Sequence, residues 1–192
     1  MLDLTLILVV VIVFLALAFD FINGFHDTAN AIATAVSTRA LTPRSAIMMA
    51  AVMNLVGALM FTGVAKTIGG KVADPFKLED GLTVVIATLL AAIAWNLITW
   101  WKGIPSSSSH ALIGSLAGAA IAAEGWDGIN IGGFSSIVLG LIFSPIIAFA
   151  LGYTIMTLFK WIFGRANPHI INKGFRKGQI LTAAFQAFTH GT

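Results

Sequence analysis

The sequence predicts an all-α integral membrane protein, and two observations lead to that fold class. Of its 192 residues, 58% are hydrophobic and only 10% are charged, and the mean hydropathy is +0.93. So few polar side chains cannot cover the surface of a soluble domain. Several uncharged segments also reach the roughly 20 residues that a membrane-spanning helix needs. We expect spans at residues 4–37, 45–65, 82–101, 104–123 and 134–159.

The first span carries a stripe of polar side chains at intervals of three and four residues. Its members are Asp20, Asn23, Asp27, Asn30 and Thr34. On a helix this spacing places all of them on one side. Carboxylates inside a membrane are costly and normally face a protein-lined cavity or an ion path. The stripe is therefore the first candidate functional site.

The same span contains a predicted break at Asn23 and Gly24. A glycine inside a helix costs about 1 kcal/mol relative to alanine, which favours unwinding at this point. Within a membrane, an unwound backbone is tolerated only where it faces a cavity or neighbouring protein. We therefore expect a discontinuous first helix that exposes backbone groups to a binding cavity.

The positive residues between the spans predict how the chain is oriented. Alternate loops divide them into a group of eight and a group of three, and the positive-inside rule assigns the larger group to the cytoplasm. The eight are Arg39, Arg44, Lys102, Lys160, Arg165, Lys173, Arg176 and Lys177, and the three are Lys66, Lys71 and Lys77. We expect a multi-pass protein of the cell membrane with its first residues outside. A net charge of +3 gives no reason to expect nucleic acid, and the absence of cysteine excludes disulfides and thiolate metal sites.

A second interruption separates the third and fourth spans. Gly103, Ile104 and Pro105 are followed by serines at 106–109 and by His110. Proline suits the first turn of a helix, and serine side chains can cap its free N–H groups. A helix that begins here would direct N–H donors, hydroxyl groups and the positive end of its dipole toward a ligand. The sequence therefore predicts an anion site at this turn.

Two motifs resemble those of the inorganic phosphate transporter (PiT) family of cation-phosphate symporters. Gly24-Phe25-His26-Asp27-Thr28-Ala29-Asn30-Ala31 is similar to the first family signature, and Pro105-Ser106-Ser107-Ser108-Ser109-His110-Ala111-Leu112-Ile113-Gly114 is similar to the family's serine-rich hairpin. His26 stands where many members have asparagine. The resemblance covers the whole chain and implies inverted repeats built from discontinuous helices, with a re-entrant serine-rich hairpin in the first repeat. It also implies uptake of inorganic phosphate with sodium or protons, at a site near the middle of the membrane where the repeats meet.

The resemblance implies that this chain contains one repeat and the beginning of another. Residues 1–163 would form the first repeat, 164–178 a basic cytoplasmic loop, and 179–192 the start of the second repeat. Phe188-Thr189-His190-Gly191 aligns with Phe21-Ile22-Asn23-Gly24, and the second family signature begins in this way. We therefore expect a truncated transporter or half of a split one, whose partner is a second half or an identical copy.

Residue chemistry and the family pattern together predict roles for the candidate site. Hydroxyl groups donate to phosphate, and a carboxylate accepts from a protonated phosphate oxygen, so we expect phosphate to be bound by Ser107, Ser108, Ser109 and Asp27. Carboxylate and amide oxygens suit a hard cation such as sodium, so we expect the cation to be bound by Asp27, Asn30 and Asn23. We expect the path or the surroundings of the site to include Asp20, His26, Thr34 and His110. No enzyme activity, no cofactor and no metal beyond transported sodium are expected, and the lipid bilayer is the surrounding medium.

Other interpretations of the same residues stay open. A gated ion channel would use the stripe as a continuous polar wall, and an incomplete, inactive half-transporter would need a second half. An intramembrane hydrolase using Ser109 and His110 is disfavoured, because adjacent residues on a helix point about 100° apart. Asn54 and Asn96 are each interpreted as residues that form hydrogen bonds between helices.

Overall fold

The computed structural model describes residues 3–60, 70–75, 77–166 and 168–191, with the side chains of residues 168–170 outside this description. The regular elements in these residues are all helical, which confirms the all-α prediction. Those with both ends described are α1 (Leu4–Ser37), α2 (Pro43–Met60), α3 (Gly81–Lys102), α4 (Ser108–Glu124), a 3₁₀ turn (Gly125–Gly128), α5 (Ile131–Phe163) and α6 (Pro168–His190). Helices α1, α2, α3 and α5 are long and apolar enough to cross a membrane. The end of the second expected span, 61–65, and Lys66 lie outside the described residues.

Helix α1 is continuous, and the predicted break at Asn23 and Gly24 is wrong. Its 34 residues extend over about 51 Å at a rise of 1.5 Å per residue. Retaining Gly24 costs about 1 kcal/mol, whereas each backbone group left unpaired in an apolar environment costs roughly 2–7 kcal/mol. The second cost is larger, so the helix stays intact. The Thr28 hydroxyl group also donates to the carbonyl oxygen of Gly24.

Helix α3 runs parallel to the first part of α1. Near the beginning of α3, Leu82 lines an apolar cavity together with Val9 of α1. Near its end, the rings of Trp100 and Phe25 are in edge-to-face contact, with their centroids 5.5 Å apart. The two helices therefore keep a parallel register between these points.

Helix α4 returns along α3 and forms a helical hairpin with it. Gly103 follows α3 in the left-handed conformation, at φ 64°, which glycine adopts without a steric penalty from Cβ. Ser107 then caps α4 by accepting a hydrogen bond from the backbone N–H of His110. At the opposite end of the hairpin, the Glu124 carboxylate accepts from the backbone N–H of Glu79 at 2.8 Å. The apolar core of this region consists of Val72, Ala73, Leu78, Val84, Ile113, Leu116, Ala117, Ala120 and Ile129.

The hairpin turn is set back from the end of α1. It lies beside Asp27, ten residues before the last residue of α1, Ser37. That separation is about 15 Å along the helix axis, or half of the roughly 30 Å hydrocarbon core of a bilayer. The turn of the hairpin therefore lies well inside the length of α1.

Helices α2 and α6 pack against the last part of α1. Thr38, just after α1, donates a hydrogen bond to Gln179 of α6 at 2.8 Å. His190, near the end of α6, lies beside the same cavity as Asp20, which comes much earlier in α1. Helix α6 is therefore antiparallel to α1. The buried residues of this interface are Ala31, Ile32, Ala46, Ala50 and Ala187.

Helix α6 includes most of the segment that we expected as a basic loop at 164–178. The helix begins at Pro168, because this segment has apolar side chains at helical intervals between its charges. The ring of Phe175 lies 5.6 Å from that of Phe159 and 5.4 Å from that of Phe163, both in α5. The basic side chains are exposed: Lys173, Arg176 and Lys177. They therefore form the polar face of an amphipathic helix.

Candidate functional site

The serine-rich turn and the polar stripe of α1 meet at Asp27. The Ser108 hydroxyl group donates to Asp27 Oδ2 at 2.6 Å. Ser108 is buried, and the side chain of Asp27 is only 14% exposed. A hydroxyl-to-carboxylate bond of this length is charge-assisted and stronger than a bond between neutral groups. The hairpin therefore brings together two residues that lie 81 positions apart in the sequence.

The first turn of α4 presents further donors beside this pair. Ser107 is the N-cap, and its Oγ accepts from the His110 N–H at 3.4 Å. The N–H groups of Ser108 and Ser109 are in the first turn, where a helix offers no acceptor of its own. Such groups, together with the positive end of the helix dipole, form a binding position for an anion.

His26 supports the other oxygen of the Asp27 carboxylate. Its Nδ1 lies 3.2 Å from Asp27 Oδ1, and its Nε2 lies 3.5 Å from the Thr99 hydroxyl of α3. The His26 side chain is 6% exposed. The Thr99 hydroxyl also reaches the Trp95 carbonyl of its own helix at 2.9 Å. Both oxygens of Asp27 therefore have a polar neighbour, and His26 links Asp27 to Thr99 of α3.

The remaining members of the stripe do not share one environment. The Oδ1 atom of Asn23 is buried and has no hydrogen-bond partner in the described part of the chain. Asp20 lies on the side of α1 that faces α2 and α6, beside a cavity of about 800 Å³ that Asn54 and His190 also line. Asn30 and Thr34 are exposed, because they lie on α1 beyond the hairpin turn.

The exposed members of the serine-rich turn have different surroundings. Ser109 and His110 are exposed, and His110 lines a groove of about 600 Å³ between α3 and α4. Trp95 closes one side of that groove, and its Nε1 donates to Ser106 Oγ at 3.1 Å. The roles assigned to Ser109 and His110 stay predictions.

Of two residues of α3 that were not assigned to the site, one contacts it and the other is a buried amide. Thr99 contacts His26, and Asn96 is completely buried with both polar atoms of its side chain unpartnered. The sequence feature that could have drawn attention to them is a series of polar residues in an apolar span, at positions 88, 96 and 99. Asn54 differs, because its Nδ2 donates to the Ala50 carbonyl in its own helix at 3.0 Å. Within the described parts of the chain, the predicted hydrogen bonds between helices are not seen at either asparagine.

Comparisons with known proteins agree with this architecture. The model of the phosphate transporter family matches residues 23–173. A probable low-affinity inorganic phosphate transporter of Bacillus subtilis is 63% identical over 190 residues, which cover 99% of this chain and 57% of that protein. A protein with the same description from Streptomyces halstedii is 49% identical over 189 residues, which cover 97% of this chain and 87% of that protein.

A solved structure has the same fold. It is described as "The sodium-dependent phosphate transporter", and it matches with a TM-score of 0.76 and 24% identity, over 96% of this chain and 54% of that one. This chain thus spans little more than half the length of that structure and of the Bacillus subtilis relative. With its helices of membrane-spanning length, it is a multi-pass membrane protein. It belongs to the phosphate transporter family.

Proposed function

We propose that this chain transports inorganic phosphate across a membrane and that a cation, sodium or a proton, is transported with it. The observation that carries the proposal is the 2.6 Å hydrogen bond from Ser108 to Asp27. It joins a carboxylate within a membrane-spanning helix to the N-terminus of a second helix. The family membership and the descriptions of the relatives support phosphate as the substrate.

Phosphate would be held by the first turn of α4. The hydroxyl groups of Ser107, Ser108 and Ser109 and the free N–H groups of that turn donate hydrogen bonds to phosphate oxygens. Asp27 accepts a hydrogen bond from a protonated phosphate oxygen. Phosphate therefore replaces the direct bond between Ser108 and Asp27 with bonds to both residues.

Coupling to a cation follows from the charge of Asp27. Two unit negative charges about 4 Å apart repel by about 4 kcal/mol at an effective dielectric constant near 20. A sodium ion on the oxygens of Asp27 and Asn23, or a proton on the His26–Asp27 pair, removes most of that repulsion. Phosphate and cation therefore bind together more favourably than either does alone, which is a coupling free energy. Asp20, Thr34 and His110 would line the route to and from the site, and the assignment of the exposed Asn30 to the cation stays a prediction.

The test is uptake of radiolabelled phosphate into liposomes that contain the purified chain. Inward sodium and proton gradients are applied separately, with a potassium gradient of equal ionic strength as the control. We expect uptake that saturates with phosphate, that one of the two gradients stimulates, and that shows counterflow of labelled phosphate. A channel would conduct phosphate without counterflow.

A second pair of preparations tests whether transport requires a partner segment. The chain is produced alone and together with the part of the Bacillus subtilis relative that it does not cover. Coupled uptake in either preparation supports the proposal, and uptake that requires the second segment identifies that segment as the partner. Absence of phosphate uptake in both would overturn the proposed function.

A further inference from the structure

Helices α1 and α3 each contain buried polar atoms that have no partner among the described residues. Among the described residues, the buried side-chain atoms without a hydrogen bond are Asn23 Oδ1, Asn96 Oδ1 and Asn96 Nδ2. Asn96 is 0% exposed. A buried amide without a partner destabilises a folded protein, so native structures rarely retain one without a reason. These atoms are therefore candidates for binding a ligand.

The register of the two helices places Asn96 level with Asn23. The rings of Phe25 and Trp100 are in contact, and these residues lie 75 positions apart in the sequence. His26 and Thr99 have their side-chain atoms 3.5 Å apart and are separated by 73 positions. Asn23 and Asn96 are also 73 residues apart. Because parallel helices rise equally per residue, the two amides lie at a similar height, each about one turn before the contact between His26 and Thr99.

The chemistry of these atoms suits a dehydrated monovalent cation. Amide oxygens are hard, neutral ligands of the kind that bind sodium, and they do not bind protons at physiological pH. Asp27 follows Asn23 by one helical turn and supplies the negative charge that balances such an ion. We propose that Asn96, together with Asn23, forms a sodium-binding position between α1 and α3. This inference rests on the proposed function, and it assigns Asn96 to the cation site in addition to Asp27 and Asn23.

Two other asparagines differ from Asn96 in burial or in hydrogen bonding. Asn54 also lies in a membrane-spanning helix, but its Nδ2 already donates to the Ala50 carbonyl. Asn30 was assigned to the cation from the sequence, but it is exposed and lies beyond the hairpin turn. Asn96 combines complete burial with a free amide at the level of Asn23. Asn54 is therefore a matched control for its substitution.

The first experiment measures sodium binding without transport. The Tm of the purified protein is followed as sodium chloride replaces choline chloride at constant ionic strength, in the absence of phosphate. We expect sodium to raise the Tm of the wild type and of Asn54→Ala, and to leave the Tm of Asn96→Ala unchanged. Asn96→Leu has a similar volume and no oxygen, so it reports the same loss if the alanine variant does not fold. A wild-type Tm that does not respond to sodium, or an Asn96→Leu variant that keeps the full response, would overturn the inference.

The second experiment measures phosphate uptake in liposomes. We expect Asn96→Leu to increase the sodium concentration for half-maximal uptake by about tenfold or more, as loss of one of a few oxygen ligands predicts. The phosphate concentration for half-maximal uptake at saturating sodium is expected to change less than twofold. Uptake that a proton gradient alone drives, with no sodium effect on Tm, overturns the sodium site but keeps the proposed function. Conversely, an increase of the Tm with sodium that depends on Asn96, in a protein without phosphate uptake, supports the sodium site and overturns the proposed function.

Discussion

The two pairs of helices that pack against α1 meet it through different chemistry. The α3–α4 hairpin contacts α1 through His26, Asp27, Thr99 and Ser108, which are linked by hydrogen-bond distances of 2.6–3.5 Å. Helices α2 and α6 bury alanines and Ile32 against the last part of α1, with one hydrogen bond from Thr38 to Gln179 at its end. Small side chains let helix backbones approach closely in a membrane. One helix thus contributes a polar site on one side and close packing on the other.

This difference separates residues that act in binding from residues that hold the helices together. Substitutions on the hairpin side should change ligand binding with little effect on stability. Substitutions at the closely packed small residues of the α2–α6 side should change stability with little effect on binding. Three predictions test this division, beginning with the largest expected effect on uptake.

Asp27→Asn should reduce phosphate uptake most. The substitution keeps the size of the side chain but removes the negative charge that receives the Ser108 hydroxyl and balances a cation. Hydrogen bonds to charged groups contribute about 1.5–3 kcal/mol each. We expect the initial uptake rate in liposomes to fall by about 100-fold, which corresponds to about 2.7 kcal/mol at 1.36 kcal/mol per factor of ten.

The control for Asp27→Asn is the amount and Tm of the reconstituted protein, which should stay close to those of the wild type. Cation-dependent uptake within a factor of two of the wild type would contradict the role of Asp27. It would also remove the main difference between the two sides of α1.

The serine-rich turn offers a sharper comparison within a single helix turn. Ser108 is buried against Asp27, whereas its neighbour Ser109 is exposed. Ser108→Ala removes the bonded hydroxyl, and we expect about a tenfold increase in the phosphate concentration for half-maximal uptake, equivalent to about 1.4 kcal/mol. Ser109→Ala keeps its backbone N–H and should change that concentration less than threefold. Equal effects of the two substitutions would show that the contact with Asp27 has no special importance.

The main pair of the site could be predicted from the sequence, but its depth in the protein could not. The stripe identified Asp27, and the serine-rich turn identified Ser108, because local spacing and capping chemistry determine which side of a helix is polar. Spacing along one helix does not determine where its neighbours end. The hairpin turn contacts α1 at Asp27. Asn30 and Thr34 belong to the same polar stripe but lie farther along α1, where the hairpin does not bury them.

Residues on α3 show a second limit of prediction from sequence. Asn96 and Asn54 are both single amides in apolar helices, and sequence alone gives them the same interpretation. What distinguishes them is the parallel register of α1 and α3, a tertiary property. The break predicted at Gly24 failed for a related reason, since the cost of freeing backbone groups outweighs the weak helix propensity of one glycine.

The smallest expected effect on uptake, and the largest on stability, comes from Gly57 of α2. A Cβ atom at this position would overlap the Phe188 carbonyl oxygen of α6 and lie 3.2 Å from backbone atoms of Gly191. Overpacking of this kind typically costs about 1–3 kcal/mol, and in a chain of this size 1 kcal/mol lowers the Tm by roughly 2–4 °C. We therefore expect Gly57→Ala to lower the Tm by several degrees while each folded molecule keeps its uptake rate.

Gly118 of α4 is the matched control for Gly57. A Cβ atom there would have nothing within 4 Å apart from its own helix backbone, and alanine favours a helix over glycine by about 1 kcal/mol. Gly118→Ala should therefore leave the Tm unchanged or raise it slightly. If Gly57→Ala instead lowered uptake per folded molecule as strongly as Ser108→Ala, the α2–α6 side would take part in transport. The division between a binding side and a packing side of α1 would then be wrong.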